Sequence, residues 1–161
     1  MKFKCNFARE LLVSIVGISL LAFFLLPPIT RSVQVARRQS CANNLRQLYR
    51  LGTTYASTHD GQWSDATGSG LWRSFAKTSP PLIDQDDLEV LICPLQTEEP
   101  IKGRCDYLGP RKTASPLKPG EALGACTHGR HDGDTHGSVL LKDGRVKEYE
   151  FTHPIWSNLA P

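Results

Sequence analysis

The sequence predicts an α+β protein. One long N-terminal helix, membrane-spanning over its first half, packs its second half on a small antiparallel sheet. Three observations carry that prediction. Leu11–Leu26 reads LLVSIVGISLLAFFLL, an apolar run without a charge. It passes through Pro27-Pro28 into a polar segment whose apolar residues recur at helical spacing. Near the C-terminus, two strand-like runs flank Asp143-Gly144. These divide the chain into a spanning half-helix at 1–29, an amphipathic half-helix at 30–58 and a head at 59–161.

The first element is set by length and charge. Extended by Asn6–Arg9 and Pro27–Ile29, the run reaches roughly 24 residues, about one hydrocarbon thickness as helix. Glu10 is the anomaly, because an ionised carboxylate at that depth needs a partner. Lys2, Lys4 or Arg9 can supply one locally, as can a positive charge on a neighbouring copy. Met1–Glu10 is basic like the start of a signal sequence, but no small-x-small cleavage site follows the run, so an anchor is expected to stay. Pro27 lacks an N–H and crowds the preceding turn, which predicts a kink rather than a stop.

Beyond the prolines the pattern turns striped. At about 100° per residue, Ile29, Val33, Cys41, Leu48, Leu51 and Tyr55 share one broad face. Gln39, Asn43, Arg46, Arg50 and Thr53 share the opposite one. Gly61 is placed to cap the helix, and Trp63 to plug the core behind it.

Within the head, Gly68–Phe75 predicts a short helix carrying Leu71, Trp72 and Phe75 inward. Ser79-Pro-Pro is a turn, and Asp84–Asp87 leads into Leu88-Glu-Val-Leu-Ile ahead of Cys93-Pro94. Residues 95–120 read as loops around one short strand, Asp106-Tyr-Leu-Gly. Ser138-Val-Leu-Leu-Lys and Arg145-Val-Lys-Glu-Tyr-Glu-Phe predict a β-hairpin over about 138–151. Its Asp143-Gly144 suits a two-residue type I′ turn.

Composition excludes little. The chain has 161 residues, 40% hydrophobic, with a net charge of +3. The basic residues gather in Arg31–Arg50, without the aromatic interleaving of a nucleic-acid site, so no nucleic acid is expected as a partner.

Glu10-Leu-Leu-Val-x-Ile, the apolar run, Leu25-Leu26-Pro27 and then RRQSCANNLRQL together resemble the N-terminal helix of type IV pilin-like proteins. The likeness is strongest to the pseudopilin-type proteins with a prepilin methylation segment. Cys93-Pro94 and the His131-Asp-Gly, Val-Leu-Leu, Asp143-Gly-Arg-Val series are similar to features of their heads. The match departs at the processing site, where Cys5-Asn6 stand in place of the family's Gly and Phe or Met. The resemblance implies an inner-membrane, single-pass protein of a bacterium, with its N-terminus in the cytoplasm and a periplasmic head. It implies a structural subunit or accessory of a type II secretion or type IV pilus-like assembly. Its partners would be the lipid bilayer and other pilin-like subunits, as a homo- or hetero-oligomer, with Glu10 and Pro27 serving assembly. The alternative is a membrane-tethered periplasmic binding protein that never polymerises.

In that orientation Cys41, Cys93, Cys105 and Cys126 meet an oxidising compartment and become disulfide candidates. Three pairings are open. Cys41 lies on the buried stripe and can tie the helix to Cys93, and Cys93–Cys105 is the local alternative.

No catalytic constellation stands out. The chain has no G-x-S-x-G, no HExxH and no phosphate-binding glycine loop, and Cys126 with His128 lacks a third group. An enzyme is not expected. His128, His131 and His136 crowd with Asp132 and Asp134, yet the spacing fits no zinc signature. Asp132, Asp134, His136, Gly137 and Asp143 mimic an EF-hand loop, but histidine is a poor calcium ligand and the flanks are not helical. Some pilin-like heads hold calcium in a late loop. His131, Asp132, Asp134 and His136 are therefore the candidate ligands for calcium or another metal, and no cofactor is otherwise assigned.

Overall fold

The computed structural model describes the backbone of residues 3–94, 104–126 and 135–161. Within these it describes the side chains outside 3–9, 22–34 and 85–86. The chain divides into two compact units, Met1–Ala36 and Arg37–Pro161. Helix α1, Phe3–Ser57, contributes to both and runs unbroken through Pro27-Pro28.

In the first unit, the described side chains of Leu11–Leu21 are exposed on every side of α1. Leu11, Leu12, Val13, Ile15, Val16, Ile18, Leu20 and Leu21 are all exposed, at 49% for Val16 to 68% for Ile18. The expected membrane-spanning half is nevertheless overturned, because no helix among the described residues is long and apolar enough to cross a membrane. With Glu10 at its head, the described run Leu11–Leu21 is about 16 Å long at 1.5 Å per residue. A hydrocarbon core is about 30 Å thick. The transmembrane fold, the single-pass inner-membrane placement and the secretion-related terms attached to them are corrected accordingly. What the described residues support is a five-stranded antiparallel sheet with helices.

In the second unit α1 has one buried face. Cys41, Leu45, Leu48, Gly52 and Ala56 recur every three or four residues and are all buried. Gln39, Asn43, Arg46, Arg50 and Thr53 are exposed on the other side. Gly52 is buried because Trp63 lies against it. A Cβ there would come within 2.0 Å of the indole. The chain leaves the helix through Asp60 (φ 52°) and Gly61 (φ 79°), whose N–H reaches back to the Ala56 carbonyl at 2.9 Å. Two left-handed residues in succession close a helix end tightly.

Helix α2, Ser69–Ser74, places Leu71 and Trp72 in the core, and Phe75 follows them. A 3-10 segment, Gln85–Leu91, leads to Cys93. The strands are β1 (Tyr107–Pro110), β2 (Ala122–Cys126), β3 (His136–Leu141), β4 (Val146–Glu150) and β5 (Leu159–Ala160). Their order in the sheet is β4-β3-β2-β1-β5, with every pair antiparallel.

One face of the sheet, with Tyr107, Leu123, Cys126 and Leu140, shares a core with α1 and α2. The other, with Ala122, Ala125, Val139, Leu141 and Leu159, is packed by Ile155 and Trp156 from the 3-10 segment Pro154–Asn158. The central strand β2 is buried throughout.

The β3–β4 turn differs from a type I′ turn. Among Lys142, Asp143 and Gly144, only Gly144 has positive φ, at 83°. Gly144 N–H bonds to Leu141 O at 2.9 Å, and Leu141 N–H to Arg145 O at 2.8 Å. The connection is therefore a three-residue turn with glycine at the left-handed position. Asp143 keeps negative φ and accepts from the Arg145 N–H at 3.1 Å and from its guanidinium. The Tyr49 ring lies where a Gly144 side chain would stand.

Candidate functional site

Three cysteines from three separate elements converge inside the second unit. Cys93 Sγ lies 2.8 Å from Cys126 Sγ and 3.6 Å from Cys41 Sγ. All three sulfurs fall within 4.8 Å of one another, and the residues are only 1–2% exposed. A group of this kind can hold a metal ion.

Each cysteine arrives by a different route. Cys41 lies on the buried stripe of α1, one turn before Leu45. Cys93 is fixed through its backbone. Its N–H donates to Asp106 Oδ2 at 3.1 Å, and the Asp106 N–H in turn donates to Leu91 O at 2.9 Å. The carbonyl just before it, Ile92 O, accepts from Asn44 Nδ2 at 3.2 Å and from Tyr107 Oη at 3.4 Å. Asp106 is itself buried and pairs through Oδ1 with Arg104 Nε at 2.5 Å. The loop carrying Cys93 is thus bolted to α1 on one side and to the start of β1 on the other.

Cys126 depends on an irregularity in β2. A regular strand puts alternate residues on opposite faces, so Ala122 and Cys126 would share one. The register shifts between Ala122 and Gly124. Ala122 and Ala125 therefore face the Trp156 side, while Leu123 and Cys126 face α1. One inserted residue turns Cys126 toward the other two sulfurs, the usual consequence of a β-bulge. Gly124 completes the fit, because a Cβ there would meet the Trp72 indole at 2.5 Å. Trp72 is held by its Nε1–H, which donates to Leu108 O at 2.9 Å.

The electrostatics favour neutral sulfurs. Hydrogen bonds to Cys126 and Cys93, then burial, push the Cys41 thiol far above its ordinary range. Burial and then the three sulfurs push the Tyr107 phenol upward as well. A cation among the sulfurs reverses this preference, since thiolate is the ligating form.

The remaining site candidates from sequence are elsewhere. Cys105 is outside the cluster. Its thiol donates to Tyr107 O at 3.6 Å, and burial raises it to about 11. Glu10 is exposed. Pro27 is within α1, and its side chain lies outside the described residues. His131, Asp132 and Asp134 lie outside the described residues. His136 is at the exposed start of β3, with Nε2 3.8 Å from Glu150 Oε1. Calcium takes oxygen ligands, so the donor set of the thiol cluster does not suit it.

Sequence reasoning put Cys41, Cys93 and Cys126 in one pool of four without separating them from Cys105. It missed Asn44 and Asp106. Asn44 had a readable signal, three residues from Cys41 and on the same helix face. The bulge in β2 has none.

The fold and the cluster together define a helix-covered antiparallel sheet with three thiols in its core. No protein-family model, no curated protein and no solved structure matches this chain.

Proposed function

We propose that the chain is a structural subunit of a helix-cored, type IV pilin-like assembly. In this reading the apolar run of α1 is buried between copies of this chain or related subunits, and the second unit is the head each copy contributes. The observation that carries it is the exposure of Leu11–Leu21 on every side of the helix. A one-sided stripe is covered by one neighbour, whereas a helix apolar all round is covered by several. Eight large side chains about half exposed leave on the order of 10 kcal/mol of burial per chain available to association, as an upper figure. The resemblance carried by Glu10, the apolar run and Pro27 supports the same reading.

Glu10 is the specificity element. An acid at the head of an apolar bundle is tolerated when a positive group of a neighbour meets it, which fixes the stagger between copies. Removing one partner of such a pair costs about 3–5 kcal/mol. Crosslinking the full chain and its Glu10→Ala variant tests this. The expected result is a ladder of oligomers in the native protein and its collapse in the variant. Equal ladders in both would count against this reading, and monomer in both would favour a binding protein that never polymerises.

A further inference from the structure

We propose that Cys41, Cys93 and Cys126 form a binding site for one soft, thiolate-seeking cation of the zinc(II) or copper(I) kind. The inference is independent of the assembly reading, because the site lies wholly within the second unit.

Three sulfurs, not two, meet in the core. A disulfide uses two cysteines, yet here three are delivered to one point, each by its own device. Those devices are the α1 stripe for Cys41, the Asp106 and Asn44 clamp for Cys93, and the bulge for Cys126. A metal uses all three. Zinc–sulfur bonds of about 2.3 Å in tetrahedral geometry put sulfurs about 3.8 Å apart. The Cys93–Cys41 separation of 3.6 Å is close to that. The Cys93–Cys126 pair, at 2.8 Å, opens by about 1 Å on loading.

Donor chemistry narrows the ion. Three sulfurs shielded from water select soft cations over calcium, magnesium or manganese. Asn44 and Asp106 hold the carbonyl and the N–H of the peptide group that leads into Cys93, the positioning that outer partners give to metal ligands. Each thiol that ligates forms a sulfur–metal bond and releases its proton to solvent. Loading is therefore accompanied by about three protons per ion and weakens as pH falls. Three thiolates alone suit trigonal copper(I), and zinc(II) adds a fourth ligand to become tetrahedral.

The test uses the full chain, stripped of metal and reduced without oxygen. It is titrated with cobalt(II) as an optical probe, then with zinc(II), and separately with copper(I) against a competing chelator. The expected result is one ion per chain, with an intense sulfur-to-cobalt charge-transfer band that zinc(II) abolishes. Cys41→Ser, Cys93→Ser and Cys126→Ser should each weaken binding by more than about 100-fold, and Asn44→Ala by about 10- to 100-fold. Cys105→Ser should leave it unchanged.

If the serine variants do not fold, proton release from the native chain decides, with about three protons per zinc(II) expected. Failure of the reduced native chain to bind any of these ions overturns the site. So does cobalt(II) binding of undiminished affinity after loss of one of the three cysteines, or zinc(II) uptake without proton release.

Discussion

Helix α1 holds two apolar-bearing stretches of opposite fate. From Cys41 to Ala56 the apolar residues occupy one face and are buried in the core of their own unit. From Leu11 to Leu21 they occupy every face and remain exposed. The difference lies in composition and in arrangement together, because only the second stretch carries a polar face. A stripe is satisfied by one sheet, so the second stretch completes its burial within a single chain. A fully apolar cylinder has no polar side to leave in water, and among the described residues nothing covers the first stretch.

Substitutions in the two stretches should therefore report on different equilibria. The largest effect on folding is expected at Leu45, which is fully buried. Leu45→Ala should lower stability by about 2–5 kcal/mol, measured by denaturant unfolding of the head's tryptophan signal. Leu12→Ala, in the exposed run, should leave the same transition unmoved and reduce association instead. A fall in head stability at Leu12 equal to that at Leu45 would erase the contrast.

Gly52 sharpens the comparison from inside the second stretch. Alanine there improves helix propensity by about 1 kcal/mol but drives its methyl into Trp63. Overpacking of this kind costs about 1–3 kcal/mol, so the net change should be a modest loss of stability with a shifted Trp63 emission. Gly17, in the first stretch, has nothing within 4 Å of an added Cβ. Gly17→Ala should not lower head stability at all.

The smallest expected effect is a pH dependence from Lys142. Its Nζ lies 4.0 Å from the Trp63 ring centroid, with no hydrogen-bond partner among the described residues. Burial lowers its pKa from 10.5 to about 8. With the folded value below the unfolded one, the charged form costs stability. That cost is complete below about pH 8 and is relieved as pH rises from about 8 toward 10.5. Stability should therefore rise by about 1 kcal/mol or less across that window. The gain is small because the side chain is only half-buried and the indole face attracts the ammonium. Lys142→Met should abolish the rise, and its persistence in that variant would assign it to another group.

Much of the head was legible because its residues announce their period or their bulk. The stripe through Cys41 and Leu48, and the inward Leu71, Trp72 and Phe75, follow from spacing alone. Strand β2 did not announce itself. Ala122-Leu-Gly-Ala-Cys is small-residued, buried on both faces and broken by a bulge, so it shows no alternation. The Asp143-Gly144 pair correctly marked a turn but not its length, because Asp143 bonds Arg145 and keeps negative φ. The membrane span was misread because the run was lengthened through Asn6–Arg9 and Pro27–Ile29, and the described apolar stretch Leu11–Leu21 is too short to cross by itself. The thiol cluster was half-legible. The cysteines are visible in the sequence, but their convergence depends on one inserted residue in β2 and on the Asp106 carboxylate, neither of which has a periodic signature.

In the proposed assembly the two stretches of α1 are buried by different partners, the second by its own chain and the first by other chains. Site-specific photo-crosslinking tests it most directly, with the reactive side chain placed at Ile18 in one protein and at Gln47, exposed on the second stretch, in the other. Chain-to-chain products are expected from position 18, disappearing in the Glu10→Ala background, and none from position 47. Products of equal yield from both positions, or none from position 18, would contradict it.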